Sequence, residues 1–135
     1  MNFNLKRPCA NCPFRNDKED QRGWLGEDRA EEIIDAITRL QGTFSCHKTN
    51  IQEDGSIKET KNSEHCAGAS ILLEKIDRPN QMMRISERIG FYDRTKLDMN
   101  SPVFDSPDEF IEWCGEHGIS FYDLTRNLEQ VIADY

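Results

Sequence analysis

The chain has 135 residues and a net charge of −8, with 36% of its residues hydrophobic and 31% charged. That is one domain's length with a modest core; the Phe, Trp and Tyr content argues against wholesale disorder, and no apolar run reaches the ~20 residues that span a bilayer. The Met1–Pro8 segment has no apolar stretch of signal-peptide type, so a cytoplasmic protein is expected.

Residues 1–23 show no helical periodicity and read as an irregular loop. Residues 27–41 read as a helix, with Ala30, Ile33, Ile34, Ile37 and Leu40 at helical spacing and Gly42 as the stop. Thr43 to Cys46 reads as a short strand, and residues 50–63 as an exposed loop or hairpin with an Asp54-Gly55 turn. A second helix is expected from Cys66 up to Pro79, and a short one over 81–89 with Met82, Ile85 and Ile89 on one side. Ser106-Pro107-Asp108-Glu109 is a helix start, after which Phe110, Trp113 and Cys114 share a face and Gly115 and Gly118 close the helix. Ser120 caps a predicted last helix striped by Phe121, Leu124, Leu128, Val131, Ile132 and Tyr135. The expected fold is mainly α with irregular loops, or a small α+β fold. It forms a single metal-stabilised domain over 1–135, with a short strand or hairpin near the metal. Residues 1–77 form its cysteine-rich part and 98–135 an acidic helical part.

Charge is segregated. Residues 1–97 hold 16 Lys and Arg against 16 Asp and Glu, whereas residues 98–135 hold Arg126 and nine acidic residues. An acidic chain repels nucleic acid at long range, so a sequence-independent grip on phosphates is not expected. Asp108, Glu112 and Glu116 fall on one predicted helix; that face is either solvation or a docking surface for a basic protein partner.

Five cysteines in a chain expected in a reducing compartment argue against a disulfide framework. Cys9-Ala10-Asn11-Cys12 presents two thiolates from one tight turn, and Cys46 and Cys66 complete a set of four. Such a set suits tetrahedral zinc or a cubane cluster. The competing readings are buried inert cysteines and a thiol–disulfide enzyme. The first is weakened because the polar segments that carry the cysteines have little apolar area to offset an ordering entropy of roughly 1–2 kcal/mol per residue. The second lacks a buried strand before Cys9 and an apolar helix after Cys12. A [4Fe–4S] cluster is preferred, with zinc as the alternative. Only one knuckle is present, and Cys66 opens a helix whose positive end and small Ala67-Gly68-Ala69-Ser70 run suit an anionic sulfur centre. His47 and His65 flank Cys46 and Cys66 and are expected beside the metal or at the surface; replacement of a neighbouring Cys by either is the mixed-ligand variant. Cys114 is expected to be buried and unligated, and His117 to sit at a helix C-terminus.

Four blocks, Arg7-Pro8-Cys9-Ala10-Asn11-Cys12-Pro13-Phe14-Arg15, Gly23-Trp24-Leu25-Gly26, Phe44-Ser45-Cys46-His47-Lys48-Thr49 and Cys66-Ala67-Gly68-Ala69, match in order. Together they resemble a family of small uncharacterised proteins met mainly in bacteriophages and phage-derived segments of bacterial genomes. The resemblance covers residues 6–77, implies a metal-ligand role for Cys9, Cys12, Cys46 and Cys66, and supplies no activity. Arg7, Arg15 and Lys48 are then expected to offset the negative charge of the centre. The alternative is a small basic face of Arg7, Arg15, His47 and Lys48 that binds phosphate or nucleic acid. Phe14, Trp24 and Phe44 either shield the metal or serve as stacking platforms.

No nucleophile elbow, phosphate loop, dinucleotide fingerprint or His-Glu-x-x-His occurs, and four cysteines would close a zinc site to substrate. The expectation is a non-catalytic, metal-stabilised, phage-encoded regulatory or host-interaction protein in the host cytoplasm. The competing class is a redox- or metal-dependent enzyme or sensor with a labile cluster. Oligomeric state is not legible.

Overall fold

The computed structural model describes residues 1–116, the side chain of Glu116 excepted. Four α-helices are joined by long irregular connections: α1 (Glu27–Ile37), α2 (Ala67–Lys75), α3 (Gln81–Arg88) and α4 (Pro107–Glu116). Short 3-10 turns cover Glu19–Gln21, His47–Asn50 and Arg94–Lys96. The fold is therefore mainly helical, and β structure among the described residues is limited to isolated bridges. The last predicted helix, from Ser120 to Tyr135, and His117 lie outside the described residues. No helix among the described residues is long and apolar enough to cross a membrane.

α2 is the centre of the core. Its residues Ala67 through Leu73 are all buried, which is the signature of a helix covered on every side. α1 buries Ala30, Ile33, Ile34 and Ile37, the stripe its periodicity predicts, and packs against α4. Leu40 does not join them. The helix ends at Ile37, and the chain turns through Gln41 at φ +56° while the Gly42 N–H bonds the Ala36 carbonyl at 2.7 Å. A Cβ at Gly42 would sit 3.0 Å from that carbonyl oxygen, so glycine is needed there to close the turn. Leu40 is left exposed.

The start of α4 follows its sequence signature. Ser106 Oγ accepts the Glu109 N–H at 3.3 Å, and the Glu109 carboxylate reaches back to the Asp105 N–H at 3.1 Å. Phe110 and Cys114 are buried and Trp113 is half-buried, as expected. Gly115 does not end the helix. It lies inside α4 where a Cβ would come 3.2 Å from Glu27 Cβ, so it is a crossing point with the start of α1.

α3 inverts its predicted face. Met83 and Ser86 are buried, whereas Met82, Ile85 and Ile89 are exposed. The reason is Asn80. Its buried side chain caps α3 by accepting the Met83 N–H at 2.9 Å, and that anchor turns Met83 rather than Met82 inward.

The predicted strand at 43–46 shortens to one antiparallel bridge, Ser45 to His65, closed by Cys46 N–H to Glu64 O and Cys66 N–H to Phe44 O, each 2.7 Å. The excursion between them is an exposed loop with a narrow hairpin at Ile51 and Ile57. Ser63 Oγ donates to Asn50 Oδ1 at 2.6 Å, and Asn50 Nδ2 donates to Ser45 Oγ at 2.9 Å, so the base of this loop is fastened by buried polar groups.

Candidate functional site

The four cysteines arrive from three irregular segments. Cys9 and Cys12 lie on a tight turn closed by Cys12 N–H to Cys9 O at 3.1 Å and continued by Arg15 N–H to Cys12 O at 3.2 Å. Cys46 follows the Ser45–His65 bridge, and Cys66 leads into α2 as its N-cap. Cys12, Cys46 and Cys66 are buried and Cys9 is half-buried. Cys12 Sγ and Cys66 Sγ are 3.5 Å apart. Cys9 lies beside both Cys12 and Cys46. The structure thus gathers the four thiols that the spacing singles out. Among the described residues, no group of three or more His, Cys, Asp and Glu side chains is arranged as a preformed metal-ion site.

The protons in this cluster are unequally held. Cys12 and Cys66 share a hydrogen bond in which either sulfur can donate, and the Cys66 and Cys9 sulfurs beside Cys12, together with burial, push its thiol above the ordinary value. Cys9 is drawn down to about 5 by the Cys12 thiol beside it, with smaller help from the Asn11 backbone and the Lys48 charge, against the cost of burial. Cys66 is lowered by Cys12 and by the backbone N–H groups of Ala69 and Gly68, again against burial. Cys46 is raised by burial. The first turn of α2 therefore stabilises negative charge on Cys66, as a helix N-terminus does.

Gly68 makes this seat possible. A Cβ there would lie 2.5 Å from Cys12 Sγ, 3.1 Å from Phe14 Cβ and 3.6 Å from Cys66 Sγ. No side chain fits between α2 and the Cys9–Cys12 turn.

His65 is not a surface residue and faces away from the role of ligand. It is buried, stacks on Phe3 with ring centroids 5.0 Å apart, and is neutral, its pKa pushed down to about 4 by burial. Asn80 Nδ2 donates to His65 Nε2 at 3.1 Å, which leaves Nδ1 as the protonated nitrogen that donates to Ser70 Oγ at 2.8 Å. Asn80 also donates to the Gly42 carbonyl at 3.1 Å. One buried amide thus ties α3, the end of α1 and the residue preceding Cys66 together. His65 beside Cys66 and Asn80 after Pro79 were the available sequence signals for this hub. His47 is exposed.

The cations divide. Arg15 forms a two-point pair with Asp17 at 2.8 and 2.9 Å, and Arg7 pairs with Asp98 at 3.0 Å. Lys48 is exposed and has no ion-pair partner among the described residues. The aromatics divide too. Phe14 is fully buried, stacked on Phe110 at 4.9 Å and edge-on to Phe44 at 5.2 Å, so it shields the thiols and offers no platform. Trp24 is 78% exposed.

All five cysteines line one cleft of about 790 Å³. Its walls include Trp24, Leu25, Ile33, Phe44 and Trp113, with Arg29, His47 and Lys48 among its polar residues. Cys114 is buried in its wall, and burial raises its thiol to about 11, so it behaves as a small apolar residue. On the acidic face, Asp108 and Glu112 are exposed on α4; the side chain of Glu116 lies outside the described ones.

No curated protein and no solved structure matches the chain. A family model does match, over residues 4–117, which extends beyond the four sequence blocks to take in α3 and α4. The chain belongs to DUF6283, a family of unknown function.

Proposed function

We propose that the chain is a metal-binding protein in which Cys9, Cys12, Cys46 and Cys66 hold one centre, a [4Fe–4S] cluster, and that it acts as a non-catalytic regulatory or host-interaction protein of phage origin. The observation that carries the four-thiol reading is that Cys9, Cys12, Cys46 and Cys66 arrive from three segments on one cleft, with Cys9 beside Cys12 and Cys46 and Cys12 beside Cys66. A polar chain gains from such a clip, since structural metal sites contribute roughly 10–16 kcal/mol of apparent binding energy in small peptides. Space beside the sulfurs supports a polynuclear centre. The zinc alternative is supported by the Cys12–Cys66 separation, close to the ~3.8 Å edge of a tetrahedron with 2.3 Å metal–sulfur bonds. Binding would displace the Cys12 proton and convert hydrogen-bonded thiols into ligands.

A second reading, a redox or metal sensor, is favoured by Cys9, which is half-buried where the other three thiols are buried and so leaves the centre approachable by small oxidants. The docking face is proposed at Asp108, Glu112 and Glu116, for a basic protein partner. Anaerobic purification with iron, sulfide and zinc quantified and the visible spectrum recorded tests the proposal. About four iron and four sulfide per chain with a charge-transfer band establish the cluster. Stoichiometric zinc with no colour establishes the alternative, and absence of all three refutes the metal reading. A cluster whose bleaching by mild oxidant changes partner affinity would select the sensor.

A further inference from the structure

The cleft exceeds what any centre on the four thiols would fill, and its size is that of small-molecule sites, roughly 300–1,000 Å³. Of the seven aromatic and cationic side chains that sequence spacing brings to this region, the structure commits three elsewhere. Phe14 is buried in the core, Arg15 is held by Asp17 and Arg7 by Asp98. Trp24, Phe44, His47 and Lys48 line the cleft; Trp24 is the exposed aromatic among them and Lys48 the exposed ammonium. We propose that this cleft binds a small planar aromatic molecule carrying an anionic group, its ring on Trp24 and its anion at Lys48.

Trp24 is held out by its backbone. The Gly23 N–H donates to the Trp113 carbonyl at 3.2 Å, and the Trp24 N–H donates to the Gln21 carbonyl at 3.0 Å. Gly23 at φ +75° and Gly26 at φ +86° set the bends on either side. An indole of roughly 150–250 Å² is thus presented to solvent on a fastened loop, with the apolar walls of Leu25, Phe44 and Trp113 in the same cleft. Flat apolar walls select a planar ring, because stacking needs only a π-face. Lys48 supplies the sign. Arg29 shares the lining but is engaged by Glu32 at 3.0 Å. The chain's net charge of −8 acts weakly from a distance, since charges beyond about 8 Å are screened at physiological ionic strength; within the cleft Lys48 and Arg29 stand against one carboxylate, Asp20, and Lys48 also acts on Cys9, so affinity in the millimolar range is expected. That same net charge argues against a long nucleic-acid strand, which must neutralise many phosphates at once.

The proposal stands on the cleft and does not require the metal reading; metal content is measured alongside so that the two can fail separately. Both tryptophans of the chain line the cleft, so intrinsic fluorescence reads occupancy directly. The full-length protein as purified is titrated with adenosine monophosphate, with naphthalene sulfonate and with adenosine. Either anion is expected to change the fluorescence saturably below about 5 mM. Lys48→Glu is expected to weaken binding of that anion about tenfold and leave adenosine unchanged; Trp24→Ala is expected to weaken both about tenfold, and Trp24→Phe to restore most of the binding. Trp24 is exposed, so its variants are expected to keep the wild-type circular dichroism. Failure of both anions to bind, binding indifferent to Trp24→Ala, equal loss of adenosine and anion in Lys48→Glu, or binding of an oligonucleotide but of neither anion would each overturn the proposal.

Discussion

Replacement of Gly68 by alanine tests the site at its tightest point. The new methyl would lie 2.5 Å from Cys12 Sγ and 3.1 Å from Phe14 Cβ. Phe14 cannot retreat, because its ring is stacked on Phe110 and edge-on to Phe44. Cys12 must move instead, and its sulfur is the one that hydrogen-bonds both Cys9 and Cys66. Overpacking of this kind costs about 1–3 kcal/mol. Alanine returns about 1 kcal/mol in helix propensity, since Gly68 is the second residue of α2 and not a capping residue. The net expectation is a loss of about 0–2 kcal/mol in the chelated, metal-free protein, read from the urea midpoint at unchanged m-value. The metal-loaded protein should lose more, because Cys12 can no longer meet the other three ligands and the stabilisation from bound metal disappears with it. Gly115→Ala is the control. Its methyl meets Glu27 Cβ at 3.2 Å, an atom fixed to the α1 backbone, so some stability is lost at the α1–α4 crossing, but none of the four thiols is touched and metal content should be unchanged. A Gly68→Ala protein that keeps its full metal content and gains stability would refute the claim that this gap positions the ligands.

Cys46→Ser should release the metal, whereas Cys114→Ala should retain it, with content measured by elemental analysis on folded protein; loss in the second variant would make Cys114 a ligand. Asn80→Ala should cost about 2–5 kcal/mol in urea unfolding, from the lost cap of α3 together with unpaired groups at His65 and the Gly42 carbonyl. Glu74 has its pKa raised above the ordinary carboxylate value by burial, with the Tyr92 hydroxyl donating to it at 2.9 Å. Its contribution to stability is therefore present below the unfolded pKa of about 4.5 and is lost as pH rises through the folded value. Glu74→Gln, which keeps an acceptor for Tyr92, should gain stability relative to wild type as pH rises from about 4.5 through the folded value; a pH-independent difference would refute this account.

The sequence exposed the helices where one face is buried against one neighbour. α1 and α4 show their periodicity because each packs one stripe, and the Ser106-Pro107 start needed only local chemistry. α3 departs from the face its spacing predicts: Met82, Ile85 and Ile89 share a face by spacing, yet the Asn80 anchor selects Met83. Periodicity reports amphipathicity and says nothing of which partner is present. The strand expected at 43–46 met the same limit, because β propensity cannot say that only Ser45 finds a partner. Within the site, which thiols come together was legible and the roles of their neighbours were not. Cysteine spacing names the four thiols. Nothing local distinguishes Phe14, which closes the core over them, from Trp24, which stands in solvent.

The arrangement also explains why a mostly polar chain can carry such a cluster. Cys46 and Cys66 are separated by a long exposed excursion, yet they are held by the same bridge, and closing a loop costs free energy that grows only with the logarithm of its length. The tip can therefore be polar and solvent-exposed at little expense, provided its base is fastened. Asn50, Ser63 and Ser45 fasten it by hydrogen bonds, and His65 fastens its end to Asn80 and Ser70. Those contacts place Cys66 at the start of α2, the most buried helix of the described residues, while the Cys9–Cys12 turn is pressed onto the same helix through Phe14 and the missing side chain of Gly68. The rigid member of the site is thus α2, and the three loops are referenced to it. Metal on the four thiols would cross-link loops already registered to one helix, so its binding energy would go into locking the cysteine-bearing third of the chain rather than into assembling the helical core. The Cys→Ser variants should accordingly keep α1, α2 and α4 packed while residues 1–23 and 43–66 loosen.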